Sequence, residues 1–441
     1  MASTYLTRTP STAGNRKTWT YSAWFKIGNV STGPKRLFTS YDGSTATNQS
    51  TISLGGGVDY AMQIYNAPSG SSSINLHTNR LFRDCNAWYH IVVAVDTTQA
   101  TGSNRVKLYV NGVQETSFST ETYGSQNEDF FINSTNLHTI GRRQDNSQYF
   151  DGSMSHVHFI DGTQYQASDF GQYDANGVWT INTSPSVTYG TNGFFILKNS
   201  GSVTDQSGNG NNWTVSGGTL TDTLDCSANV FATLNPLDND SATTFSNGNC
   251  KAVTDNSLRK PFYSTLAVSS GKYYWEVKMI DVNSSFFLTG ISGSFTSAND
   301  PLGYELYDYG YRKFDGAVRN NDSDTSYGSS FADGDIIGVG LDLDNNKLYF
   351  AKNGTWENSA DPSSGTGGFS ITDASNTVKG SYTPAGSDFS TGSGATVEHN
   401  FGNPPFTISS GNSDGNGFGN FEYAPPTNYF SLCSSNLAEY G

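Results

Sequence analysis

Two stretches decide the fold: WYHIVVAVD (88–96) followed by RVKLYVNGVQET (105–116), and GDIIGVGLDLDNNKLYFAKNGTWE (334–357). In each, a short run dense in Val, Ile, Leu and aromatic residues precedes a second run that ends in Asn-Gly. Such runs are too short for helices and suit strands of a sandwich interior. Asn111-Gly112 and Asn353-Gly354 are hairpin turns, because a two-residue turn of this kind needs positive φ at both central positions. Set side by side, VVAVD with KLYVNG and GVGLD with KLYFAKNG are two copies of one unit. Their spacing is that of one domain plus a linker. The repeat predicts that Lys107 and Lys347 occupy equivalent places on two superposable hairpins.

Outward from these hairpins the chain keeps the same character. TWTYSAWFK (18–26) is a further strand rich in aromatic residues. Residues 166–179 hold a candidate short helix with Ser168 as its N-cap. The Gly/Asn-rich stretch 206–213 reads as irregular linking structure, and the tail after Ser409 reads as an arm that orders only by packing on a domain. Composition agrees: of 441 residues 48 are Gly and 13% are aromatic, while only 14% are charged. The expected fold is all-β. Two antiparallel, jelly-roll-like, concanavalin A-like sandwiches (1–165 and 228–406) are joined by a linker (166–227) and followed by a C-terminal arm (407–441).

A net charge of −15 argues against nucleic acid as a partner, since that affinity rests on Lys and Arg displacing counterions. No apolar run approaches the roughly 20 residues of a membrane-spanning helix, and MASTYLTRTP lacks the apolar stretch of a signal peptide. Neither membrane insertion nor export by that route is expected. Cys85, Cys226, Cys250 and Cys433 form no C-x-x-C pair and read as free thiols; a bridge between Cys226 and Cys250 is left open.

Residues 1–165, through YSAWFK, RVKLYVNG, IGRR (140–143) and FDGSMSHVHFIDG (150–162), resemble a laminin-G-type, concanavalin A-like domain. Residues 228–406, through KYYWEVKM, LTGIS (288–292), the second hairpin and VEHNFGNPPF, resemble a SPRY domain. The tandem, with its joining segment and the ending NYFSLCSSNLAEYG, resembles structural and tail-fibre-like proteins of bacteriophages. That resemblance implies a noncatalytic virion component, assembled in a host cytoplasm, that binds other virion proteins and a host-surface glycan or protein. An architectural capsid or tail decoration protein is the alternative, and a polysaccharide depolymerase a lesser one. Analogy with such fibres also implies a homo-oligomer, a trimer.

Four residues are the expected ligand-binding surface: Tyr307, Tyr309, Arg312 and Trp356. Positions 307, 309 and 311 of GYELYDYGYRKFDG (303–316) alternate and so share one strand face, and SPRY-like domains bind partners through loops at one end of the sandwich. Trp356, just past a turn, adds a ring. Other constellations point to structure. Asp342 and Asp344 share a strand end but belong to a turn, and no laminarinase-type E-x-D-x-x-E string exists, so no catalytic residue is assigned. His156 and His158 face the same way and could hold zinc with Asp151 as a third ligand, yet they read as polar sheet residues. Calcium fits a laminin-G resemblance better, but no loop has the spacing of a calcium motif. No cofactor is therefore expected. The expected cores contain Trp24, Trp88, Val93 and Val95, and Trp275, Ile337, Val339 and Leu341.

Overall fold

The computed structural model describes residues 4–441 apart from 29, 31, 44–47, 69–71, 200, 240–241, 256–259, 283–285, 296–299 and 389–393. The chain divides into two units, Met1–Ala228 and Asn229–Gly441. Both are antiparallel sandwiches.

Among the described residues, the first unit sets an eight-stranded sheet against a six-stranded one. The six-stranded sheet is built around Thr18–Ile27, which pairs with Tyr89–Asp96 on one side and Gly152–Asp161 on the other. Trp19, Tyr21, Ala23 and Phe25 point into the core from alternate positions, against Phe38, Ile52, Ile64 and Leu76 of the eight-stranded sheet. The segment expected as a linker belongs to this sandwich. Phe194–Ile196 is an edge strand beside Gly152–Asp161, and Thr214–Ser216 extends the other sheet beside Tyr5–Arg8. The expected helix there is a single 3-10 turn, Ala167–Asp169. With Phe170 and Tyr189 that turn covers the outer face of the six-stranded sheet. Trp24 is buried, but on that outer face, stacked on His90 at 4.9 Å.

In the second unit Lys272–Asp281 runs between Ile336–Asp342 and Thr396–Asn400, and Trp275, Val277, Ile337, Val339 and Leu341 fill the core. The facing sheet runs Phe262–Tyr263, Thr383–Ser387, Leu288–Ser292, Asp308–Arg312, Ala317–Asn320, Ser323–Ser326. The C-terminal segment lies on the outer face of the larger sheet. Phe421 and Tyr429 pack on Tyr274 and Tyr349 there, Phe430–Ser431 adds a short parallel pairing, and Ser434–Tyr440 is the α-helix of this region. Two carboxylates fasten it. Glu276, fully buried, accepts from the backbone N–H groups of Glu422 (3.0 Å) and Tyr423 (2.7 Å), from Asn400 Nδ2 (3.1 Å) and from the Tyr274 hydroxyl (3.2 Å). Asp414 accepts from Ser431 N and Oγ and from Asn436 Nδ2, all within 2.8 Å.

The two hairpins correspond through their asparagines. Asn111 N–H donates to the His90 carbonyl and its Oδ1 accepts from His90 N–H; Asn353 does the same with Ile336. Both asparagines have φ near +48°, and the following glycines are also positive. The lysines do not correspond. Lys107 pairs with Ala94, whose counterpart Gly340 pairs with Tyr349. Ala351 and Lys352, inserted before the second Asn-Gly, shift Lys347 by one strand repeat.

All four cysteines are free thiols; Cys250 is buried and Cys226 exposed. No helix among the described residues is long and apolar enough to cross a membrane.

Candidate functional site

The four residues expected to form a binding surface occupy separate places. Tyr309 is 3% exposed, inside the core between Phe369 and Tyr382, and its hydroxyl bonds the backbone N–H (3.0 Å) and Oγ1 (3.2 Å) of Thr372. Tyr311 is likewise internal, stacked on Phe350. The strand 308–312 turns its odd positions inward, which corrects the expectation of an aromatic platform. Arg312 is held by Asp315 (2.6 Å) and Asp324 (2.8 Å). Trp356, half-buried, packs on Tyr274 and Tyr349 on the outer face of the larger sheet. Tyr307 alone adjoins a surface loop, its backbone bonded to Gly293 and Ser294.

That loop borders a cleft of about 380 Å³ at one end of the second sandwich, lined by Asp238, Tyr263, Phe295, Val378, Lys379 and Thr383. Its walls follow from local sequence. Leu288–Ser292 ends in Gly293-Ser294, which releases Phe295 outward. Before Thr383–Ser387 the chain turns at Thr377–Gly380, closed by a Gly380 N–H to Thr377 carbonyl bond, with Gly380 at φ +67°. Val378 and Lys379 therefore project from a tight turn, and Lys379 N–H is tied to the Gly293 carbonyl. The Lys379 ammonium lies 4.4 Å from the Tyr263 ring centroid and 5.8 Å from that of Phe295. It makes no hydrogen bond or ion pair with any described residue. Burial lowers its pKa, opposed by the charges of Asp308 and Asp238. Phe295 is 76% exposed and Val378 59%. The cleft thus offers two bare apolar side chains beside a cation seated between rings, an arrangement that takes an acidic group flanked by apolar ones. The signal in the sequence was faint: a single Phe in SGSFTSAND and a single Val in NTVKG, each stranded in a polar turn.

The remaining constellations are structural. Asp342 is fully buried and paired with Lys272 at 2.9 Å, and Asp344 accepts from Gly271 N–H. His158 Nδ1 bonds the Tyr189 hydroxyl (2.9 Å) and His156 Nδ1 bonds Ser155 Oγ (2.7 Å). No group of three metal-ligating side chains exists among the described residues.

Comparison with known proteins identifies both units. Residues 2–167 match the model of the concanavalin A-like lectin/glucanases superfamily, and residues 272–402 that of the SPRY domain. Ran-binding protein 9 of Danio rerio is 32% identical over 91 residues, 20% of this chain and 15% of that protein. The ATP-dependent RNA helicase DDX1 of Xenopus laevis is 34% identical over 122 residues, 27% of this chain and 16% of that protein. The chain therefore spans about 15% of the length of these curated relatives. The SPRY domain of human HERC1 aligns at 18% identity and a TM-score of 0.30, covering 38% of this chain and 96% of that one. These relatives overturn the expectation of a virion protein. They are eukaryotic cellular proteins, and the tail-fibre-like, decoration and depolymerase readings fall with it, as does the virion location. The domain resemblances stand: the chain carries a concanavalin A-like domain at 2–167 followed by a SPRY domain at 272–402.

Proposed function

We infer that the second unit is a noncatalytic protein-binding module whose end cleft takes an extended segment of a partner protein. The observation that carries this reading is the juxtaposition of Phe295 and Val378, both exposed, with the ring-flanked ammonium of Lys379. A globular protein gains nothing in stability from leaving two large apolar side chains bare at the mouth of a cleft, whereas a partner that covers them gains contact area. The cation selects a carboxylate, and the aromatic walls hold it away from water, where the pairing is stronger. The Ran-binding proteins among the relatives are named for binding a protein, which supports a protein partner over a small molecule.

A yeast-displayed library of random peptides, sorted on the full chain, tests this. Enriched sequences should pair an acidic residue with a neighbouring apolar one, and Phe295→Ala or Lys379→Ala should weaken them about tenfold or more. Because the Phe295 ring is largely exposed, its loss should leave the melting temperature nearly unchanged. Peptides that bind both variants as tightly as the parent chain would place the site elsewhere.

A further inference from the structure

The cleft of the second unit holds a nucleophile as well as a cation. Lys379 is the third residue of the turn Thr377–Gly380, and both of its backbone neighbours are fixed. Buried Thr377 donates from Oγ1 to the Ala374 carbonyl (2.8 Å), Gly380 N–H closes the turn, and Lys379 N–H is tied to Gly293. The lysine side chain therefore leaves a rigid base. It crosses the buried ring of Tyr263, and its Nζ ends between that ring and Phe295 rather than against an acceptor.

Other lysines of the chain are engaged. Lys26 is paired with Asp225 at 2.9 Å, Lys272 with Asp342 at 2.9 Å and Lys352 with Asp335 at 3.2 Å. Lys347 donates to Ser370 Oγ (2.8 Å). Each of these nitrogens must give up a contact before its lone pair is free to attack. Asp238 lines the same cleft as Lys379, but its Oδ1 is taken by Lys260 at 3.1 Å. Lys35 is desolvated too, and burial lowers its pKa, yet at 7% exposure it is closed to a reagent.

Lys379 meets both requirements of a reactive amine. Burial lowers its pKa, with the charge of Lys260 acting in the same direction against Asp308 and Asp238. A larger fraction of it is therefore neutral amine than on a lysine in open water. Access is provided by the cleft, whose volume of about 380 Å³ opens to the surface beside Nζ. Next to it, the bare side chains of Phe295 and Val378 are an apolar seat, and an alkyl chain laid on them leaves water.

We propose that Lys379 is an acylation site, taking a short apolar acyl group from a thioester onto Nζ, with the acyl chain lying on Phe295 and Val378. The ammonium first gives one proton to water. The amine lone pair then forms the C–N bond to the thioester carbonyl carbon, and the C–S bond breaks with its electrons to sulfur. The nitrogen's second proton ends on the departing thiolate, so the products are an amide and a thiol, with no oxidant or reductant consumed. The amide is uncharged, and the cleft then ceases to select carboxylates. Only that last consequence rests on the protein-partner reading of the cleft; the acylation rests on the geometry around Nζ.

Incubating the full chain with S-butyryl-N-acetylcysteamine and following each lysine by peptide mass mapping tests the assignment. Lys379 should be butyrylated at least about fivefold faster than Lys107 or Lys347, and unfolding the chain in urea should erase that advantage. Phe295→Ala, at a ring that is largely exposed, should slow Lys379 about threefold while leaving Lys107 unchanged. The assignment is overturned if Lys379 reacts no faster than Lys107 and Lys347, if its advantage survives in urea, or if Phe295→Ala leaves its rate unaltered. Peptide capture by the unmodified chain reports separately on the protein-partner reading. Capture without selective butyrylation overturns the acylation site alone, and selective butyrylation without capture bears it out while overturning the protein-partner reading.

Discussion

Replacing Glu276 by Gln tests how the C-terminal segment is held. The carboxylate receives four donors, two on each oxygen: Tyr423 N–H and the Tyr274 hydroxyl on Oε1, Glu422 N–H and Asn400 Nδ2 on Oε2. Glutamine keeps one oxygen and turns an NH₂ group toward the other pair, so two donors lose their acceptor whichever way the amide is oriented. Each buried donor left unsatisfied costs about 1–3 kcal/mol. Against this, desolvation raises the Glu276 pKa, opposed by the hydrogen bonds it receives, so removing the charge recovers part of the loss. A net destabilisation of about 3 kcal/mol is expected, and for a unit of this size that lowers its melting temperature by about 6–12 °C. Differential scanning calorimetry of the full chain should show the change in one of two transitions. Hydrogen exchange should show the Glu422 and Tyr423 amides losing protection first. Unchanged protection of those two amides would refute the fastening role, even if the melting temperature fell.

Two further outcomes follow from the buried groups. Burial lowers the pKa of His90 to about 3 and of His138 to about 4. The native first unit therefore refuses protons that its unfolded chain accepts below about 6.5, and its stability, complete above that pH, should fall as pH drops toward 4. His90→Asn should flatten this slope by up to about 1.4 kcal/mol per pH unit, measured as the urea midpoint against pH, and an unchanged slope would contradict the burial of that ring. Tyr309→Ala should cost about 3–5 kcal/mol while leaving peptide capture by the folded chain intact; a stable variant that no longer binds would return Tyr309 to the surface.

The β class and both hairpins were legible because Asn-Gly turns and short apolar runs are local signals, and the structure keeps both. What the sequence hid depends on what covers each face. TWTYSAWFK alternates, with Trp19, Tyr21, Ala23 and Phe25 inward and Thr20, Ser22 and Lys26 outward. Trp24 alone breaks the pattern, because residues of 163–190 pack on the outer face and bury it there. The stretch 307–311 misleads differently: a polar-looking DYGYR conceals two core tyrosines whose hydroxyls find partners inside. Phe295 and Lys379 lie far apart in sequence and meet only through the loop bond between Lys379 and Gly293. The lysine register failed for a simpler reason: two inserted residues are invisible when strings are matched by composition.

The fastening of residues 414–440 also dictates when the second sandwich can form. Val230 N–H donates to Ser434 Oγ and its carbonyl accepts from Ser434 N–H, while Phe231 bridges to Cys433, so the opening residues of the unit close against its final ones. Tyr274 and Glu276 stay wet until Phe421 to Tyr429 arrive. On a translating ribosome, whose exit tunnel hides the most recently made residues, the first sandwich has every strand it needs once its own residues emerge. The second must wait until residues 414–440 emerge, its larger sheet uncovered meanwhile on the face destined for Phe421 and Tyr429. A stop codon placed before residue 414 would thus be felt across the whole second sandwich, from its opening residues onward, and would leave the first unaffected.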